Sequence, residues 1–560
     1  MKTIKNTICC FVLIGVALTS CKKNFLTITP TDRLTNTSIQ TDTSLFEDYV
    51  INRYLGVTLQ AKEGDGSPPG FGRGFEYALW SSVTDESIYT NNDGSWVLQQ
   101  GQLAADNTGI AGTIWARSYR SIRECNYALS LIGALPMSAG HKTELIGELE
   151  FIRAYRYHDL IRNYGGVVLM GDKVTDLTSN LQDPSLFKRA TLAESMAYAT
   201  SQLDDAASKL PLSNGGSWAL GRATKGAALA LKSRLLLYAA SPLYNVGTWQ
   251  DAAAAAKAVM DLGKYSLFQS GYSQLFLTPD ANEIIFERLY FPNTAPHTRL
   301  ELANGPNGYD GWGGNTPLQN LVDDYEMDNG KPITDASSGY NPQDPYTHRD
   351  PRFYATILYN KAPYRNSTVD VFLPGGKDSN QGPSNWNTSL TGYYLRKFMN
   401  DSYPIDNPWS VAGAQPWIYL RYAEVLLNYA EAQNEAVGPD ASVYQAINSV
   451  RARASVSMPP LAGLSQSDMR NAIRYERRVE LAFEEHRFYD VRRWKIASQT
   501  ENVPAYGVSV AVNSSAPTGY TYTQKVALTA RSFTDKEYWL PIPLAEIQAS
   551  NGQLQQNPGY

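Results

Sequence analysis

Aromatic and amide side chains set close together in glycine-dense stretches are the most suggestive chemistry in this sequence. Thr84 to Trp96 carries Asp85, Glu86, Tyr89, Asn91, Asn92, Asp93 and Trp96. Asn307 to Gly314 carries Tyr309 and Trp312 among four glycines, and Trp386 stands between Asn385 and Asn387. A flat ring covers the apolar face of a sugar, while Asn, Asp and Arg reach its hydroxyls. Burying about 100 Å² on one such plate at ~25 cal/mol/Å² yields on the order of 2.5 kcal/mol before ordering costs. Each hydrogen bond adds about 1 kcal/mol. Two or three plates then give a micromolar-to-millimolar binder, weak enough to release its cargo. The glycines beside Tyr309 and Trp312 favour exposure of both rings, because such small neighbours cannot bury them.

Catalytic chemistry is poorly represented. A glycosidase needs two carboxylates across a sugar; Asp85-Glu86 and Asp323-Asp324-Glu326 are the available sets. The histidines (His141, His158, His297, His348 and His486) have no second His or Cys at metal-ligand spacing. Glu484-Glu485-His486 reads as a solvated helix face. Gly70-Phe71-Gly72-Arg73-Gly74 lacks the spacing of a dinucleotide turn. Gly221 to Gly226 lacks the Lys-Ser/Thr pair of a phosphate loop, and no nucleophile elbow occurs. The reading is a non-enzyme with no cofactor and no metal.

The first residues form a leader. Lys2 and Lys5 precede an apolar run, Ile8 to Leu18, too short to span a bilayer but suited to a signal peptide. It ends in Leu18-Thr19-Ser20-Cys21, which looks like a lipobox with cleavage before Cys21 and acylation of that residue. Two or three acyl chains, at about 0.8 kcal/mol per buried CH₂, anchor durably. Residues 1–20 are therefore expected to be removed and 21–31 to form a lipidated tether. Cys9 and Cys10 leave with the leader. Cys125 then stands alone, a small buried residue with no disulfide partner.

The elements that must position the loops are helices. Of the 560 residues 43% are apolar and 18% charged, a globular composition, with 36 Tyr and 11 Trp. Net charge is −5 and no long basic run follows the leader, which argues against nucleic acid. Leu145, Leu149, Ile152 and Tyr155 fall on one helical stripe stopped by Gly165-Gly166. Thr191 with Glu194 reads as a capping box. Further stripes are Ala227, Leu231, Leu235 and Tyr238; Trp249, Ala252, Ala256 and Val259; Tyr419, Ala423, Leu426 and Ala430; and Ala446, Ile447 and Val450. Paired helices with small contact residues and no strict period predict a mainly α fold: an irregular tetratricopeptide-like repeat scaffold with large loop-rich insertions and few short strands. The scaffold is expected at about 32–265 and 417–500 of a single body spanning 32–560. Residues 266–416, rich in Gly, Pro, Asn, Asp and Tyr, read as an inserted ligand-binding region. Gly64 to Gly74 and Val503 to Thr529 read similarly. Arg477 with Glu480, and Glu484 with Arg487, are spaced as surface ion pairs worth a few tenths of a kcal/mol.

Five stretches resemble the SusD/RagB family, in order along the chain. They are Leu149 to Tyr157 with Arg162 to Gly166; Arg222 to Ala228; Tyr419 to Leu427; Ile473 to Leu481 running to Arg492-Arg493-Trp494; and Leu540 to Pro543 with Gln556 to Tyr560. That resemblance implies a lipid-anchored outer-membrane protein with an α-helical repeat scaffold. It would bind glycan, or in some members peptide, and sit on a SusC-like TonB-dependent β-barrel transporter. It also implies that the stretch after the Asp85-Glu86 step supplies contacts, for which Tyr89, Asn91 and Trp96 are the nearest matches. No tryptophan immediately follows the step, which puts starch in doubt. Tyr309 and Trp312 match the family's second aromatic loop. Asp85, Tyr89, Asn91, Trp96, Tyr309 and Trp312 are thus the expected ligand contacts. A peptide-binding member, a lipid-anchored glycoside hydrolase and a purely structural scaffold are the alternatives.

Overall fold

Side-chain caps fix where the long helices begin. Ser138 accepts from the amide of His141 and opens a helix over Ala139–Tyr164. Thr191 and Glu194 form the anticipated capping box at the head of Leu192–Lys209. Thr224 and Thr248 cap Lys225–Ala240 and Trp249–Met260 in the same way. The structure, a computed structural model, describes residues 36–55, 78–91, 94–175, 180–291, 300–383, 385–403 and 413–560. The leader, Cys21, the tether, the Gly64–Gly74 stretch and His297 lie outside the described residues.

In chain order the principal helices are α1 (Ile114–Ile132), α2 (Ala139–Tyr164), α3 (Leu192–Lys209), α4 (Lys225–Ala240), α5 (Trp249–Met260), α6 (Tyr422–Val437), α7 (Ala441–Arg451), α8 (Gln466–Glu480) and α9 (Arg487–Arg493). Each of α1 to α5 packs on the next, and α5 packs on α6 although the whole insertion lies between them in sequence. Helix α6 then packs on α7 and α8. Buried Ala227, Ala230, Ala252, Ala256, Ala423 and Ala430 let these neighbours approach closely. Leu145, Leu149, Ile152 and Tyr155 are all buried, as their stripe requires.

The principal strands are β1 (Val83–Thr84), β2 (Ser87–Tyr89), β3 (Ile284–Arg288), β4 (Asn315–Pro317), β5 (Trp417–Arg421), β6 (Ala505–Val512) and β7 (Tyr520–Leu528). Antiparallel pairing of β3 with β5 closes the neck of the insertion. Tyr419, expected on a helix, is therefore in a strand, and α6 starts three residues later, after Arg421. The small sheet β1-β2-β4 joins the segment preceding α1 to the insertion. The β6–β7 hairpin lies on the insertion, with Val508 donating from its amide to Thr391 O at 2.7 Å.

Two expectations about charge are corrected. Glu480 is fully buried and bonds Arg352 and Arg421 rather than forming a surface pair with Arg477. Arg477 bonds Asp490 and Asn428, and Arg421 also reaches Glu283 and Glu484. His486 is buried and the Glu484 carboxylate is covered by Lys397 and Arg421, so that segment is not a solvated face. Helical spacing identifies neighbours on one helix; here the partners arrive from the insertion and from other helices. Buried ion pairs of this kind offset their desolvation only when both charges are well bonded.

Candidate functional site

Pairing of β2 with β4 brings the two aromatic loops together. Ile88 faces Thr316 and Tyr89 faces Asn315. Beyond the strand, Thr90 donates from its amide to Gly314 O at 2.9 Å and from its hydroxyl to Gly313 O. Asn91 follows at once and is exposed. Its Nδ2 lies 3.5 Å from Asn387 Oδ1. Gly313, at φ +50°, lies against the same third loop: a Cβ there would come 2.8 Å from Asn387 O and 2.9 Å from the Tyr394 ring. Three segments far apart in sequence thus meet, at residues 90–91, 312–314 and 385–389.

The glycines of the second loop serve a different purpose from the one expected. They admit neighbouring backbone rather than merely leaving the rings uncovered. Gly308 is held by Asp378, whose Oδ1 accepts the Gly308 amide at 2.9 Å while Oδ2 accepts that of Asp370 at 2.8 Å. Burial pushes the Asp378 carboxyl up to about 6. Trp312 emerges from this loop half-buried.

The remaining expected contacts are placed differently. Tyr309 is half-buried; its hydroxyl donates to Thr368 O at 2.9 Å and accepts from Lys377 Nζ at 2.8 Å. Its ring abuts Tyr364 edge-on, and the Lys377 ammonium lies 4.0 Å from its centroid. Tyr309 therefore braces the loop instead of offering a bare plate. Trp96, on a short helix over Ser95–Gln99, donates from Nε1 to Tyr89 O at 2.9 Å and packs beside Ile88, Leu318 and Ala505. Tyr89 is buried in its strand. Asp85 is buried too, and both its oxygens are taken by Arg478 and Arg487. Burial alone would raise its pKa, but the two guanidinia outweigh that and hold the carboxyl well below the usual carboxylate range. Tyr89 and Asp85 are scaffold residues: their sequence context matched a loop, whereas strand pairing and two distant arginines enclose them.

The carboxylates considered for hydrolysis are also anchored. Arg478 bonds Asp324 as well as Asp85. Glu86 is buried, and burial pushes it up to about 7 despite Arg478. Glu326 pairs with Arg451 at 3.2 Å. Among the described residues no cluster of three or more His, Cys, Asp or Glu could hold a metal.

Asn387 enters the sequence reading only as a neighbour of Trp386; its contact with Asn91 has no local signal in the sequence. Trp386 beside it is 60% exposed. An apolar groove of about 430 Å³, lined by Trp115, Tyr119, Val168, Met170, Phe187 and Leu554 among others, shares no residue with the loop cluster. The loop cluster differs in composition: it brings Asn91 and Asn387 together on segments that also carry Trp312 and Trp386.

Comparison with known proteins bears on this arrangement. A family model described as the SusD family matches residues 282–560. A second, described as starch-binding associating with outer membrane, matches residues 72–237. The crystal structure of a SusD-like protein from Bacteroides fragilis is 32% identical, covers 95% of this chain and 100% of its own, and superposes with a TM-score of 0.77. A SusD-like carbohydrate-binding protein from the same species is 26% identical over 92% of this chain and 100% of its own, with a TM-score of 0.78. A SusD-like protein of Formosa agariphila is 24% identical over 81% of this chain and 82% of its own.

Proposed function

This chain belongs to the SusD/RagB family, and from that premise we propose that it is a lipid-anchored outer-membrane protein that binds oligosaccharide and delivers it to a SusC-like TonB-dependent transporter without chemically altering it. The observation that carries the reading is the meeting of three loops, at Asn91, at Gly313 next to the half-buried Trp312, and at Asn387, brought about by β2–β4 pairing and the contact of Gly313 with Asn387. An indole with flanking amides matches the apolar face and polar rim of a sugar ring. A relative of the same fold bears the description carbohydrate binding, and another matched family is described as starch-binding and associated with the outer membrane. The binding role without catalysis is supported by the placement of the carboxylates. A glycosidase needs two carboxyl groups facing the sugar, whereas Asp85 and Glu86 are both buried and Asp85 is enclosed by Arg478 and Arg487.

Titration of the purified body against an oligosaccharide array, read beside a peptide pool, tests the ligand. Saturable glycan binding that Trp312→Ala weakens about tenfold is expected. Binding of peptides alone, or product formation lost with Asp324→Asn, overturns the reading. Cys21 is the proposed acylation site; metabolic lipid labelling lost in Cys21→Ala checks it. Recovery of a large β-barrel with the intact lipoprotein under gentle detergent checks the transporter.

A further inference from the structure

We propose that Asn385, Trp386 and Asn387 form an additional sugar subsite beside Trp312, so that the protein grips a chain at least one ring longer than the Trp312 plate holds; this deepens, and rests on, the glycan reading above. Exposed apolar side chains taken singly need no explanation. Trp386 differs from the others in kind and in place. Among the described residues it is the one tryptophan in the group of strongly exposed large apolar side chains, at 60%. It is also adjacent to the residue that joins the candidate site. Asn387 bonds Asn91 and presses its carbonyl on Gly313, the residue following Trp312.

The base of this loop is fixed while its tip is open. Asn387 holds a left-handed conformation, φ +53°, which asparagine tolerates better than most residues. Ser389 accepts no freedom of its own: its amide donates to Tyr394 Oη at 3.2 Å, and its hydroxyl oxygen accepts the amides of Thr391 and Gly392 at 3.1 and 3.0 Å. Asn385, on the other side of Trp386 in sequence, is exposed. The segment Asn385-Trp386-Asn387, an exposed tryptophan between two asparagines on a pinned turn, repeats the indole-and-amide composition of the Asn91 and Trp312 loops that Asn387 contacts. Preorganisation of this sort spares ordering losses on binding. The ligand class is a neutral oligosaccharide, because the three asparagines offer amides to hydroxyls.

The test uses calorimetric titration of the body with neutral malto-, cello-, xylo- and laminari-oligosaccharide ladders. Wild type, Trp312→Ala, Trp386→Ala and Trp386→Phe are compared. In the series that binds, affinity for the longer members is expected to fall about tenfold in Trp386→Ala. The shortest binding member should be unchanged, and Trp386→Phe should retain most of the gain. Thermal midpoints should match wild type, since the indole is exposed. Equal affinities of Trp386→Ala and wild type at every length, with Trp312→Ala impaired, overturn this subsite alone. A loss uniform across all lengths also overturns it. Wild type binding no ladder, or binding that neither tryptophan affects, overturns the subsite together with the glycan reading.

Discussion

Arg487 grips Asp85 in a fork, Nε to Oδ1 and Nη2 to Oδ2, each at 2.8 Å, across 402 residues of chain. Arg478 bonds the same carboxylate from a different helix. This junction seats the β1–β2 turn on the link between α8 and α9, and so sets the height at which β2 delivers Asn91 to the surface. Removing one partner leaves a buried charge unpaired. Asp85→Asn is therefore expected to lower unfolding free energy by about 3 kcal/mol, measured by urea denaturation. Oligosaccharide affinity of the folded fraction should be unchanged. An affinity loss without a stability loss would return Asp85 to the list of ligand contacts.

Glu86, next along the chain, makes the opposite prediction. Burial raises it from 4.5 to about 7, with Arg478 and Ser81 pulling back. A carboxyl raised in the folded state contributes stability below its unfolded pKa that is lost as pH rises through the folded one. Between about pH 4.5 and 7 the wild type should thus lose stability on this account, by at most about 3 kcal/mol. Glu86→Gln removes the dependence. The variant should match wild type near pH 5 and exceed its thermal midpoint near pH 8; an equal gap at both pH values refutes the shift.

How far the sequence discloses this structure depends on the range of the interactions involved. The Thr191–Glu194 capping box and the Leu145 to Tyr155 stripe are local, and both stand where they were expected. The charged run Arg474 to Glu480 is equally periodic, yet several of its side chains are buried because Arg352 and Arg421, themselves bonded to Asp350 and Glu283, come from distant segments to meet it. Periodicity records which residues share a face and not what lies against it. The ligand surface fails for the same reason. A three-residue strand such as β4 has no pattern to read, and Asn387 reaches Asn91 only after the chain has closed. Trp312 could be singled out by its type and its glycines, although those glycines turned out to admit backbone.

Cys125 gives a check on the scaffold itself. It is buried on α1, and burial raises its thiol to about 11, with Arg53 and Arg153 pulling back. A thiol reacts as thiolate. In a body beginning after Cys21, a thiol reagent at about pH 8 should find no reactive group in the native state and one in denaturing guanidinium. Prompt native labelling would mean that α1 is not packed as described.

Gly313 links scaffold geometry to binding. Its left-handed φ of +50° disfavours any side chain, and the space beside it is filled by Asn387 O and the Tyr394 ring. Gly313→Val must therefore push the 385–389 loop off the 312–314 segment or distort both, at about 1–3 kcal/mol. Either displacement separates Asn387 from Asn91 and moves the base of Trp312. Affinity for oligosaccharide should fall further in Gly313→Val than in Asn91→Ala, which removes one amide worth about 1 kcal/mol and leaves the loops in contact. The comparison, made by calorimetry on samples shown to be folded, separates a surface assembled from three loops from one in which each side chain acts alone. If Asn91→Ala proves the more damaging of the two, the close approach at Gly313 does not organise the site.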